Sequence, residues 1–99
     1  DGLMDVAPSE ESLAHITGVL DSYRKDGRID FHAVRVREAG NRRFAHLDVL
    51  VPGDWSVKKG HDLTEEVIDA LVAVDPALHV SAHLEPIEDP LSYEDIDDI

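Results

Sequence analysis

Two runs of alternating polarity, Phe31–Glu38 and Phe44–Val51, flank the turn Ala39-Gly40-Asn41-Arg42. Alternation sends successive side chains to opposite faces of a strand. A Gly-Asn turn between two such runs signals an antiparallel hairpin. In the first run Val34 and Val36 share one face, with Arg35 and Arg37 on the other. In the second, Ala45, Leu47, Val49 and Val51 share one face, and Phe44, His46, Asp48 and Leu50 the other. The apolar set must meet something that covers it, which leaves His46 and Asp48 pointing away from that cover.

The cover is supplied by helices. Leu13, Ile16, Val19, Leu20 and Tyr23 recur at helical spacing. Ser9 suits the N-cap, and Glu10 and Glu11 fall in the first turn, where the helix dipole favours acids. This helix should stop near Asp26-Gly27. After the hairpin, Pro52-Gly53-Asp54 breaks the strand, and Ser56 can cap a second helix reaching about Val74. Its apolar positions are Val57, Val67, Ile68, Leu71 and Val74, with Thr64 in part. Asp75-Pro76 ends it. A third alternating run, Leu78–Leu84, puts Leu78, Val80, Ala82 and Leu84 on one face. His79, Ser81, His83 and Glu85 take the other.

A strand–helix–strand crossover is right-handed and parallel. The expected architecture is therefore α+β: a ferredoxin-like αββαβ domain lacking its first strand. Its three-stranded mixed sheet has the order 1-2-3, with two helices on one face. The other face is left open, and a homodimer is the simplest way to shield it.

Ninety-nine residues suffice for one small domain. The formal charge of -13 is unevenly spread. Residues 88–99 carry six acids and no base, whereas residues 12–87 hold twelve acids against nine bases. The reading is a linker over 1–8, a folded unit over 9–87 and an acidic tail over 88–99. Such a chain repels nucleic acid and attracts cations. There is no cysteine, which removes thiolate ligands and nucleophiles. No apolar run approaches the ~18 residues of a membrane span. The chain opens on Asp1 rather than Met, as expected of a processed or excised piece.

The chemistry is carried by His and carboxylate. His83 and Glu85 are two residues apart, hence on one strand face, and Asp48 lies on the same open face by parity. Neighbouring strands are about 5 Å apart, so the three can converge. His61, in the first turns of the second helix, and His32, at the start of the first strand, are further candidates. Counting by twos puts His32 on the Val34 side unless the strand begins irregularly. His46 and His79 also lie on the open face; His15 reads as a helix-surface residue. Nitrogen and oxygen donors without thiolate suit Zn²⁺, with Mn²⁺, Fe²⁺ or Co²⁺ as alternatives. Catalytic motifs are missing: no nucleophile motif, Gly-rich phosphate loop or H-E-x-x-H pattern is present, so the chain reads as no enzyme. Arg35, Arg37, Arg42 and Arg43 surround the hairpin, either as a solvated strand face or as a docking surface for an acidic partner. Trp55 is either a core plug or a dimer contact.

The segments Phe31-His32-Ala33-Val34-Arg35-Val36-Arg37, Ser56-Val57-Lys58-Lys59-Gly60-His61 and Val80-Ser81-Ala82-His83-Leu84-Glu85-Pro86 carry a likeness, together with Gly40 and Phe44. They resemble the cytoplasmic C-terminal domain of cation diffusion facilitator transporters. The resemblance covers the chain to about residue 87. It implies a V-shaped homodimeric regulatory module on the cytoplasmic face of a membrane. The six-helix transporter to which it is attached exports divalent metal by proton antiport and lies outside this chain. The family's cytoplasmic metal site is matched by His32, Asp48, His61, His83 and Glu85. Zinc-transporting members can carry His where Asp48 stands, and Asp where Glu85 stands. Magnetosome iron and manganese members share the Asp at 48 and place an aromatic residue at the position of His46. Here His46 can add a nitrogen donor. The function expected is metal sensing and dimerisation, with zinc first and iron or manganese as alternatives. The rival is a stand-alone ferredoxin-like interaction module with no metal role.

Overall fold

The structure, a computed structural model, describes residues 7–91. Most of the expected linker and the end of the acidic tail lie outside the described residues. The elements are α1 (Glu10–Arg24), β1 (Asp30–Ala39), β2 (Arg42–Val51), α2 (Val57–Val74) and β3 (Leu78–Pro86). Both helices start where the capping serines stand. Ser9 Oγ accepts from the Ser12 N–H at 3.1 Å, and Ser56 Oγ accepts from the Lys59 N–H at 3.0 Å. Each bond satisfies one of the donors that a helix start leaves unpaired. Gly40, at φ +65°, closes the hairpin in the left-handed region that glycine enters at no steric cost.

The sheet order is β1-β2-β3, with β1 antiparallel and β3 parallel to β2. Ile16 and Leu20 of α1 and Val67 and Leu71 of α2 pack on Phe31, Ala45, Leu47, Val49 and Leu78 of the sheet. This is the expected α+β, ferredoxin-like αββαβ architecture with both helices on one face. α2 lies close to the edge strand. A Cβ on Gly60 would stand 2.6 Å from Leu84 Cδ2, so any larger residue there must push that leucine side chain aside. Leu13 and Val57, counted among the apolar helix positions, are exposed instead. Both sit near helix starts.

One irregularity decides where the site residues point. His32 pairs with Asp48, but the next pair along is Arg35 with His46. Ala33 and Val34 therefore oppose a single residue, Leu47, which is a β-bulge. Ala33 adopts φ +53°. Counting by twos from Val36 sends Val34 and His32 to the helix side; the bulge reverses that. His32 joins Asp48 on the open face, Phe31 enters the core, and Val34 is left exposed.

Two arginines tie the layers together. Arg24 at the end of α1 donates through Nε to Asp30 Oδ1 at 2.8 Å and through Nη2 to the Phe31 carbonyl at 3.0 Å. Arg43 grips Asp75 with two bonds of 2.6 Å, the bidentate geometry that makes such pairs strong. Those bonds hold the Asp75 carboxyl below the usual carboxylate range, outweighing a burial that pushes the other way. A lowered pKa in the folded state stabilises above the unfolded value of about 3.9 and loses that effect as pH falls through the folded one. Arg43→Leu should therefore lower the urea midpoint at pH 7. The gap between variant and parent should shrink below about pH 4, as Asp75 takes up its proton.

Candidate metal centre

The register arranges the open face as a grid. Across β1, β2 and β3 the rows are Asp30/Leu50/Glu85, then His32/Asp48/His83, then Arg35/His46/Ser81, then Arg37/Phe44/His79. Two adjacent rows bring three metal-ligating groups together. One donor atom from each of His46, Asp48 and His83 lies within 4.8 Å of the other two. His46 Nε2 is 3.6 Å from Asp48 Oδ1, and His83 Nδ1 is 3.7 Å from that same oxygen. The imidazoles stand edge to face with centroids 5.0 Å apart.

These separations are too long for hydrogen bonds. They suit donors grouped around an ion: ligands about 2.0–2.2 Å from a tetrahedral Zn²⁺ lie about 3.4 Å from one another. The electrostatics point the same way. Asp48 is 1% exposed, and its Oδ2 has no hydrogen-bond partner among the described residues. A buried carboxylate is expensive unless charge or hydrogen bonds compensate it. The ring of His46 is held from behind, its Nδ1 sharing a 3.0 Å hydrogen bond with Ser81 Oγ. Nε2 is thereby left facing Asp48. His83, by contrast, has a side chain 67% exposed, so the site opens outward through β3.

The other candidates lie around this trio. His32 faces Asp48 across the ladder, but its Nε2 leans toward Asp30 Oδ2, at 3.4 Å. Asp30 is fixed in turn by Arg24; burial pushes its carboxyl up most, but the Arg24 bond, the Phe31 N–H and the nearby positive charge together outweigh that and keep it below its ordinary range. Glu85 lies one row further on, beside Leu50. His61 is exposed on α2, on the helix side of the sheet. His79 stacks on Phe44 at 5.3 Å, and His15 is exposed on α1. Of the hairpin arginines, Arg43 is taken up by Asp75, and Arg37 lies 4.5 Å over the Phe44 ring. Trp55 packs against the core with Lys59 Nζ 4.3 Å above its ring. Ser81 is the residue that sequence reasoning passed over. Its place beside His46 depends on the parallel register of β3, which alternation alone does not fix.

Residues 8–87 match the family of cation efflux proteins, over its cytoplasmic domain. The chain belongs to that family. Over 96 residues this cation efflux domain is 38% identical to an uncharacterized transporter of Synechocystis. That match takes in 97% of this chain and 31% of the relative, so the chain spans about a third of the protein it resembles. Among solved structures, the zinc form of CzrB, described as a zinc transporter, superimposes with a TM-score of 0.71 at 30% identity. The likeness covers 84% of this chain and 93% of that one. The metal-bound C-terminal domain of the CzcD transporter from Thermotoga maritima gives 0.70 at 27% identity, covering 81% and 92%. No helix among the described residues is long and apolar enough to cross a membrane.

Asp48 exposes a trade between stability and binding. With no ion bound, Asp48→Asn removes a buried charge and keeps the shape, so the metal-free variant should gain about 1 kcal/mol in urea unfolding. The same variant should lose most of the stabilisation that added Zn²⁺ gives the parent chain.

Proposed function

We propose that this domain senses divalent cations for an efflux transporter, and that His46, Asp48 and His83 are the nucleus of its ion site. The observation that carries this reading is Asp48: a buried carboxylate, one oxygen without a hydrogen-bond partner among the described residues, set between two imidazole nitrogens. Three protein donors leave room in a four-coordinate shell. His32 and Glu85, from the same and the next row, and His61 are the residues to fill it. His61 of a second copy can reach the open face without crossing this protomer's own sheet.

Dimerisation follows from the same face. The grid rows lie on the face of the sheet opposite the helices. A cavity of about 370 Å³, whose lining includes Arg37, Phe44, His46 and His79, adjoins the trio. A homodimer across this face shields it and brings two Asp48 carboxylates toward each other. Without metal those charges oppose approach. Bound cations cancel the repulsion and draw the protomers together, on the cytoplasmic side of the membrane where the transporter's remainder resides. The ion shifts this equilibrium only by its preference for the closed form. Nitrogen and oxygen donors take Zn²⁺ first, with Fe²⁺ and Mn²⁺ as weaker competitors in the usual affinity order. The zinc form of CzrB and the metal-bound CzcD domain support this reading.

His46 binds an ion through Nε2 only when Nδ1 carries the proton, and Nδ1–H then donates to Ser81 Oγ. Removing such an orienting partner typically costs 10–100-fold in metal affinity. Calorimetric titration with Zn²⁺ should show saturable binding, weakened about tenfold or more by Ser81→Ala and further by His83→Ala. Ligating imidazoles must be neutral, so affinity should fall as the solution is acidified. Saturation should be accompanied by a smaller radius of gyration and a change in the emission of Trp55, the only tryptophan. Zinc affinity unchanged in both variants would remove the trio from the site.

A further inference from the structure

A groove of about 180 Å³ runs between the start of α2 and the end of β3, and its lining includes Pro52, Trp55, Val57, Leu84 and Pro86. Val57 is 84% exposed and Leu84 38%, apolar though both are. Single exposed apolar side chains are ordinary, but a contiguous group of them marks a docking surface. The groove is smaller than the ~300–1,000 Å³ of small-molecule sites. It suits the side chains of a peptide instead.

A peptide is at hand, because the chain that leaves β3 is fastened to this same corner. The Ile87 N–H donates to the Val51 carbonyl at 2.8 Å, and the Gly53 N–H donates to Glu88 Oε1 at 2.9 Å. Val51 and Gly53, which take part in these anchors, also line the groove. Eight residues follow Leu91, from Ser92 to Ile99, outside the described residues. Their sequence sets Tyr93, Ile96 and Ile99 three apart, with Glu94, Asp95, Asp97 and Asp98 between them. On a helix that spacing makes one apolar stripe with an acidic back. Ser92 and Asp95 have the spacing of a capping box. Charge fits as well. The first turn of α2 holds Lys58 and Lys59 and no acid, and a helix start favours negative charge. Glu85 and Glu88 lie on the β3 side, so the acids of the tail are best turned toward the lysines.

We propose that the chain's own tail docks in this groove, seating Tyr93, Ile96 and Ile99 against Trp55, Val57 and Leu84. Laying an amphipathic segment into an apolar groove is a recurring mode of recognition. Eight residues are too few for a stable helix alone, so the tail orders as it docks. The contact gives a role to three features that the ion site does not use: the acidic tail, Trp55 and the exposed Val57.

The test uses the full 99-residue chain with a chelator present, so that no bound ion contributes. Ile96→Ser combined with Ile99→Ser should move the emission of Trp55 to the red and raise its quenching by acrylamide. Far-ultraviolet circular dichroism should still show a folded domain. The chain has no cysteine, so a chosen pair can be introduced cleanly. Under oxidised glutathione, Val57→Cys with Ile96→Cys should close a disulfide within one chain. It should do so much faster than Leu13→Cys with Ile96→Cys, in which the first site is exposed near the start of α1. Trp55 emission and quenching left unchanged by the serine substitutions overturn the proposal. So does closure no faster than in the Leu13 pair. A disulfide that forms only between two chains assigns the groove to a second copy and overturns it as well.

Discussion

The arrangement of this domain turns on the burial of Asp48 in the middle strand. β2 is paired on both sides, by β1 and by β3, so its side chains are the least accessible on either face. On the helix side that position suits Leu47 and Val49. On the other side it places a carboxylate where water scarcely reaches, with imidazoles as its nearest polar neighbours. A fold selected for stability alone would put an apolar residue there, since replacing buried charge with packed hydrophobic groups is often neutral or favourable. A carboxylate retained at this cost makes sense where a cation completes it.

The remaining structure serves to hold that position. The hairpin fixes β1 against β2, and the right-handed crossover through α2 fixes β3 on the other side. Together they stack His32, Asp48 and His83 into one row and set His46 and Ser81 in the next. The arginine clamps sit at the two ends of the sheet, Arg24 on Asp30 and Arg43 on Asp75. They are placed where strands meet helix ends, so they fix the frame without entering the site.

Much of this was legible in the residues. Alternation in the second and third runs placed Asp48, His46 and His83 on the open face, and the capping serines marked both helix starts. The irregular start of β1 was not. Phe31 and Val36 are an odd number of residues apart, yet both pack toward the core, and an odd spacing between two core residues implies an extra residue between them. The valine pair Val34 and Val36 concealed that signal by offering a regular alternation of its own. Side-chain aim was equally out of reach: parity gives a face, not the lean of His32 toward Asp30, nor the bond between Ser81 and His46. Glu85 shows the same limit. It shares a face with His83, as alternation requires, but the register sets it beside Leu50 rather than Asp48.

The central claim is that imidazole nitrogens and the Asp48 carboxylate together hold a divalent cation. X-ray absorption at the zinc edge on the loaded chain addresses it most directly. The account predicts a first shell of nitrogen and oxygen alone at about 2.0–2.1 Å, with the outer-shell scattering of at least two imidazoles. Those imidazole features should fade in His46→Ala and in His83→Ala. A shell of oxygen only, without imidazole scattering, would contradict it.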